Sequence, residues 1–165
     1  MRRSIRRAEE GSAMPSAELE HVFRLAAPPE EVFAHLAEPA HYVGLSPLLV
    51  EVRDVRRGDG EVRYTAVERF RFLGLLRHDN VIDVTLVVAS DRLPDSAEIS
   101  GEVRSPARVR MGYRFAIDRD GAGSLVTDTL RLRTPPGLLR FAAAQAGAVQ
   151  QARARVLKDR LERPV

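Results

Sequence analysis

The chain contains no cysteine and no tryptophan, and only one lysine. It also has no apolar run of the roughly 20 residues that a membrane-spanning helix needs. Lack of cysteine excludes disulfide staples, thiolate metal sites and cysteine nucleophiles together, and it fits a cytoplasmic location, which is the expectation. All but one of the 26 basic residues are arginine, and 23 acids leave a formal net charge of +3. So small an excess attracts a polyanion weakly at long range, and no nucleic-acid-binding module accompanies it. Residues 1–11 carry arginines without an apolar core, so they do not form a secretory signal. Residues 1–16 are expected to be a flexible arm with a second start candidate at Met14, and residues 17–163 a ligand-binding domain large enough to bury a core.

What is present is mostly alternation. Leu19, His21, Phe23 and Leu25 share one face of a strand over residues 18–25. Pro28-Pro29-Glu30-Glu31 starts a short helix, because proline suits a first turn and acids suit its positive end. Val32, Phe33 and Leu36 form its apolar side, Pro39 stops it, and a further helical turn falls within residues 41–48. From Leu49 the period is two. Gly58-Asp59-Gly60 marks a reversal, and Val62, Tyr64, Ala66, Glu68, Phe70 and Phe72 then share a face. Leu73-Gly74 is a turn candidate before a strand over 75–88. Strands follow at 97–103, at 107–117 and, after the Asp120-Gly121 hairpin, at 124–132.

Thr134-Pro135-Pro136 closes the sheet. Residues 137–162 then form one helix about 39 Å long at the usual rise. Its expected apolar stripe is Leu138, Ala142, Gln145, Val149, Ala152 and Val156, widened by Leu139, Ala146, Leu157 and Leu161. Arg153, Arg155, Lys158 and Arg160 suit the negative end of the dipole. The stretch Ala142 to Ala148 offers apolar surface with little volume, so a sheet over it either approaches closely or leaves a cavity.

The segment FRLAAPPEEVFAHLAEPAHYVGLSP (23–47) and the final strand with its helix, GSLVTDTLRLRTPPGLLRFAAAQAGAVQQARARVLKDRLE (123–162), resemble the START-related helix-grip superfamily. The likeness is to its polyketide cyclase/dehydrase-like and lipid-transport members, and it covers residues 18–162. It implies an α+β fold in which a curved antiparallel sheet grips a long C-terminal helix, with two short helices after the first strand. It further implies a deep pocket for a hydrophobic or amphipathic small molecule, lipid-like or polyketide-like, with or without chemistry. Many relatives carry tryptophan just after the first helix, where this chain has Tyr42.

Within such a pocket the chemistry falls to polar groups on apolar faces. Glu68 shares a face with Tyr64 and Phe70, where desolvation raises a carboxyl pKa and suits a general acid or base. His78 and Asn80 lie on the next strand, and pairing across the turn brings one of them near Glu68. Glu68 and His78 are therefore the catalytic candidates for a cyclase, dehydratase or hydrolase. Tyr64, Phe70, Asn80, Met111, Tyr113, Phe115, Ala142, Ala146 and Val149 are the ligand-binding candidates. His41 and Tyr42 are expected at the pocket entrance, and Asp128 either pairs with an arginine or meets ligand.

The four histidines are scattered without metal-ligand spacing, and the turn glycines form no phosphate cradle. Ser46 and Ser100 lack the context of a nucleophile elbow. No metal or other cofactor is expected, and no nucleic-acid partner. A homodimer and a non-catalytic scaffold, whose arginine-rich strand faces meet an acidic partner, remain open alternatives.

Overall fold

The computed structural model describes residues 14–72, 76–105 and 108–162. The arm over residues 1–13 and the Leu73-Gly74 turn lie outside the described residues.

Strand β1 (Ser16–Leu25) begins earlier than the expected Glu18, because Ser16 pairs with Arg133 and Thr134 N donates to Pro15 O at 3.0 Å. Helix α1 (Pro29–Leu36) starts at the proline-acid cluster and ends before Pro39, which opens a 3-10 helix at Pro39–Tyr42. Six strands follow: β2 (Leu49–Arg57), β3 (Glu61–Phe72), β4 (Leu76–Ala89), β5 (Ser96–Arg104), β6 (Arg110–Asp120) and β7 (Gly123–Arg133). Helix α2 (Leu139–Leu161) completes the chain.

The strands form one seven-stranded sheet in the order β1-β7-β6-β5-β4-β3-β2, antiparallel throughout. Alternation assigns the faces. Leu130 lies opposite Leu19 and Tyr113, and Val126 opposite Phe23 and Ile117, so these side chains share the inner face with Leu86, Ile99 and Phe115. Two register shifts interrupt β2, the second of them holding Asp54 at φ 56°. Bulges of this kind bend a strand and spoil its free edge for pairing.

β6 starts at Arg110 rather than at the expected Ala107. Ser105 N donates to Val109 O, Arg108 N donates to Ser105 O, and Arg108 sits at φ 58°. This tight turn takes Val109 out of the ladder, although its sequence alternates like a strand.

α1 lies across β5, β6 and β7, while α2 packs on β1 and β7. Val32 and Leu36 are fully buried. At about 1.5–3 kcal/mol each, that burial holds a two-turn helix that would not persist alone in water. α2 rotates away from its expected face. Ala146, Gln150, Arg153, Ala154 and Leu157 are buried, whereas Leu138 and Gln145 are exposed and Val149 is half-buried on the flank. Gln150 and Arg153 make the true stripe look polar, and alanines on every side of the helix leave apolar spacing little to distinguish one face from another.

One glycine is dictated by close approach. Tyr113 crosses Gly101 to donate its hydroxyl to Thr85 O at 3.0 Å. A Cβ at Gly101 would lie 1.8 Å from that carbonyl oxygen and 2.7 Å from the phenol oxygen. Gly101→Ala is expected to lower stability by about 1–3 kcal/mol, as overpacking does. Urea unfolding checks this, and Ser100→Ala on the opposite face serves as the control.

Candidate functional site

Asp128 interrupts the apolar run of β7 between Val126 and Leu130 and faces α2, fully buried. Arg153, only 6% exposed, reaches it from the helix. Its Nε and Nη2 both donate to Asp128 Oδ2, at 3.2 and 2.5 Å. Gln150, one turn earlier, donates to the Asp128 backbone carbonyl at 2.9 Å. The guanidinium carbon also stands 4.7 Å from the centroid of the Phe115 ring, a cation–π arrangement. Among the described residues, Asp128 Oδ1 is the one buried side-chain polar atom without a hydrogen-bond partner.

Three phenols share the field of this guanidinium. Burial pushes Tyr42, Tyr64 and Tyr113 well above the ordinary tyrosine range, and Arg153 pulls each partly back. All three are therefore neutral hydroxyls at ordinary pH. Tyr42 donates to Leu36 O at 2.8 Å and Tyr113 to Thr85 O, so both reinforce the interior.

The inner face is closed at one end and open at the other. Toward α1, Ile99, Phe115, Ile117 and Val126 are fully buried. Toward the start of α2, Glu68, Phe70, Asn80, Val103, Ser105, Met111 and Ala142 remain half-exposed. Register places Glu68 directly opposite Asn80. Asn80 Nδ2 donates to Glu68 Oε2 at 3.4 Å and to Ser105 Oγ at 3.3 Å. Desolvation raises the Glu68 pKa above the usual carboxylate value, and the Asn80 hydrogen bond opposes this more weakly. A half-exposed apolar surface with one reluctant carboxyl and one amide can accept a ligand's polar end or move a proton.

The candidate residues thus separate into groups. Glu68, Phe70, Asn80, Met111 and Ala142 gather at the open end. Tyr64, Tyr113, Phe115 and Ala146 are sealed in the core, and Val149 lies outside the core cluster. His78 is exposed and sits opposite Phe70, so the partner of Glu68 is Asn80. Tyr42 is buried rather than at an entrance, while His41 is exposed. Asp128 takes the arginine partner.

Sequence reasoning missed Gln150, Arg153 and Ser105. The signal for the first two was present: with Ala146 and Leu157 they follow helical spacing, and Asp128 needed a cation. Two grooves of about 640 and 530 Å³ run over the outer face, turned away from α2. Charged groups such as Glu18, Arg110 and Arg131, or Asp54, Arg63 and Asp83, dominate their walls. They do not supply the apolar lining expected of a ligand chamber.

A second polar cluster ties the C-terminal end of α2 to the segment after α1. His35 and His41 stack with centroids 4.3 Å apart. Arg160 Nη1 lies 3.3 Å from His35 Nε2 and donates to His41 O at 2.6 Å, while Nη2 donates to Val43 O at 2.9 Å. Burial, then His41, then Arg160 lower the His35 pKa to about 4. Among the described residues, no group of three histidine or acidic side chains is arranged to hold a metal ion. None of the described helices is long and apolar enough to cross a membrane.

A curved antiparallel sheet, a long C-terminal helix held against its inner face, and a short helix after the first strand define the helix-grip class of α+β proteins. Residues 16–162 match the family model described as polyketide cyclase / dehydrase and lipid transport, and the chain belongs to that family. No curated protein sequence matches it significantly. Among solved structures, the Zhui aromatase/cyclase from Streptomyces sp. R1128 is 17% identical, with TM-score 0.71 over 90% of this chain and 94% of that one. A START superfamily protein from Mycobacterium smegmatis is 14% identical, with TM-score 0.63 over 88% and 97%. The lipid transfer and protein localization domain of human StarD13 is 13% identical, with TM-score 0.66 over 99% and 91%. At these identities the likenesses speak for the fold.

Two predictions follow from the polar clusters. Asp128→Asn or Arg153→Met alone should cost about 3–5 kcal/mol, because each leaves a buried group unpaired. The double variant Asp128→Leu/Arg153→Met should recover much of that loss in urea unfolding. For His35 the folded pKa lies below the unfolded value, so the folded state favours neutral imidazole. Its contribution is full above pH 6.5 and is lost as pH falls from 6.5 toward about 4. The melting temperature should decline over that window, and His35→Gln should flatten the decline.

Proposed function

We propose that this protein binds a hydrophobic small molecule, lipid-like or polyketide-like, in the trough between the inner face of β3–β6 and the N-terminal half of α2. The observation that carries the reading is the asymmetry of the inner face. One end is fully buried beneath α1, whereas the other keeps Phe70, Met111 and Ala142 half-exposed around Glu68 and Asn80. Apolar walls supply affinity by losing water. The Glu68–Asn80 pair orients the ligand's polar end, since the amide donates and a protonated carboxyl both donates and accepts. Family membership supports this class of cargo, because the family's description joins lipid transport with polyketide chemistry.

The raised Glu68 pKa favours one second reading, a cyclase, dehydratase or hydrolase in which Glu68 transfers the proton. A carboxyl that stays protonated closer to neutrality is the form a general acid needs. His78, exposed beyond the pair, takes no part in that scheme.

Native mass spectrometry and organic extraction of the protein purified without added ligand test the binding reading. A reproducible apolar adduct is expected. Ala142→Leu, which fills the trough, should reduce it at least about tenfold, the loss that follows from blocking one good apolar contact of about 1.4 kcal/mol. Glu68→Gln should keep the adduct, and it should abolish turnover of a cyclisable or dehydratable substrate if the second reading holds. Absence of an adduct, together with no change in Nile red fluorescence on adding the protein, would overturn the binding proposal.

A further inference from the structure

The end of the sheet at which the trough opens carries a row of arginines, of which Arg104 pairs with Glu102 at 3.7 Å. β5 ends there at Arg104, β6 enters at Arg110 and β7 leaves at Arg133, and register sets the three side by side across the strands. Like charges directly opposite one another repel. Arg108 is exposed on the β5–β6 turn and Arg140 in the first turn of α2. Among the described residues, Arg108, Arg110, Arg133 and Arg140 enter no ion pair, whereas Arg24, Arg57, Arg114 and Arg131 all do. At the opposite end Glu30, Glu31, Asp91, Asp95, Asp118 and Asp120 are exposed around the α1 start and the β4–β5 and β6–β7 connections. Glu30 and Asp95 share Arg119 and Asp120 pairs with Arg24, which leaves Glu31, Asp91 and Asp118 outside the ion pairs of the described residues.

The start of α2 is built against the usual preference for acids and a polar cap. It has no acid in its first turn and no side-chain cap, and Leu138 occupies the cap position. Leu138 is 44% exposed, and Phe141 at 63% is the most exposed of the large apolar side chains described.

Apolar groups between unpaired arginines, on separate turn and helix tips, make a rim around an opening rather than a flat face. A protein partner needs roughly 800 Å² of complementary surface on each side. A fluid interface imposes no such demand: aromatic and aliphatic tips enter it while arginine stems reach its phosphates. We infer that this rim docks onto an anionic lipid surface, with Phe141 and Leu138 inserted and Arg110, Arg133 and Arg140 on the headgroups. The acidic far end is repelled by the same surface, which orients the open end of the trough toward the lipid. The inference does not depend on what fills the trough.

Flotation of the full chain with vesicles of phosphatidylcholine alone, and of phosphatidylcholine mixed with phosphatidylglycerol, tests it. Binding is expected on the mixed vesicles and should weaken with added salt. Arg133→Gln and Arg140→Gln should each weaken it about fivefold. Phe141→Ser should weaken it as well, and Arg92→Gln at the acidic end should leave it unchanged. Equal binding to both vesicle types, no binding to either, or insensitivity to all three rim variants would overturn the inference. So would a dimer in analytical ultracentrifugation that Phe141→Ser dissolves, which would assign the rim to a second copy. Binding only to an acidic protein would count against it in the same way. Because the three variants lie outside the trough, the ligand adduct should survive them, so the two proposals fail separately.

Discussion

A guanidinium buried between a helix and a sheet has to find an anion, and the rest of this structure is arranged around that requirement. Arg153 is the only charged side chain among the buried residues of α2, and Asp128 is the only buried acid among the described residues. Their pairing fixes both the rotation and the height of α2 on the sheet. Gln150 adds a second contact to the same β7 residue, and Phe115 closes the guanidinium from below. Such a device matters more for this helix than for most. Its central turns are alanine and glycine, which pack closely but offer few shaped ridges to resist sliding. A buried ion pair adds little net stability over apolar replacements, and here its contribution is the choice of one helix face among several similar ones.

That choice sets the shape of the inner face. With Arg153 drawn toward β7, α2 lies along β1 and β7. α1 seals the far end with Val32 and Leu36, and Tyr42 and Tyr113 turn their hydroxyls to backbone carbonyls. What remains uncovered is the end where β3 and β4 extend past β5. Glu68 is left there with a neighbour that is polar but uncharged. The asymmetry has a functional sense: a carboxyl in the sealed core would need a cation, as Asp128 does, whereas one at a half-open end persists with an amide partner and a raised pKa.

The His35–His41–Arg160 cluster, two turns further along α2, complements the ion pair. It ties the last helical turn to backbone carbonyls of the segment after α1, using a histidine whose pKa is lowered by burial and by the neighbouring His41 and Arg160. The C-terminal half of α2 is therefore held by two arginines, one buried and one at the last turn. A sequence in which 25 of 165 residues are arginine puts these two to structural use and leaves others paired on the strands or unpaired at the open rim.

Much of this was written in the sequence. Strict alternation gave the strands and their inner faces, Pro29 with Glu30 and Glu31 gave the start of α1, and the uninterrupted final segment gave α2. The shared face of Tyr64, Glu68 and Phe70 gave the one acid at the open end. These features are local, set by backbone geometry within a few residues. Register, helix rotation and burial are not local. Whether Asn80 or His78 meets Glu68 depends on how β3 and β4 align across a turn. Which face of an alanine-rich helix turns inward depends on where its partner acid sits, 25 residues back along the chain and on another element. Val109 alternates like a strand residue, yet the Ser105–Val109 turn removes it from the ladder. In each case several arrangements satisfy the same local pattern. Only the tertiary structure chooses among them, because the deciding cost is that of leaving a charge or a polar group buried without a partner.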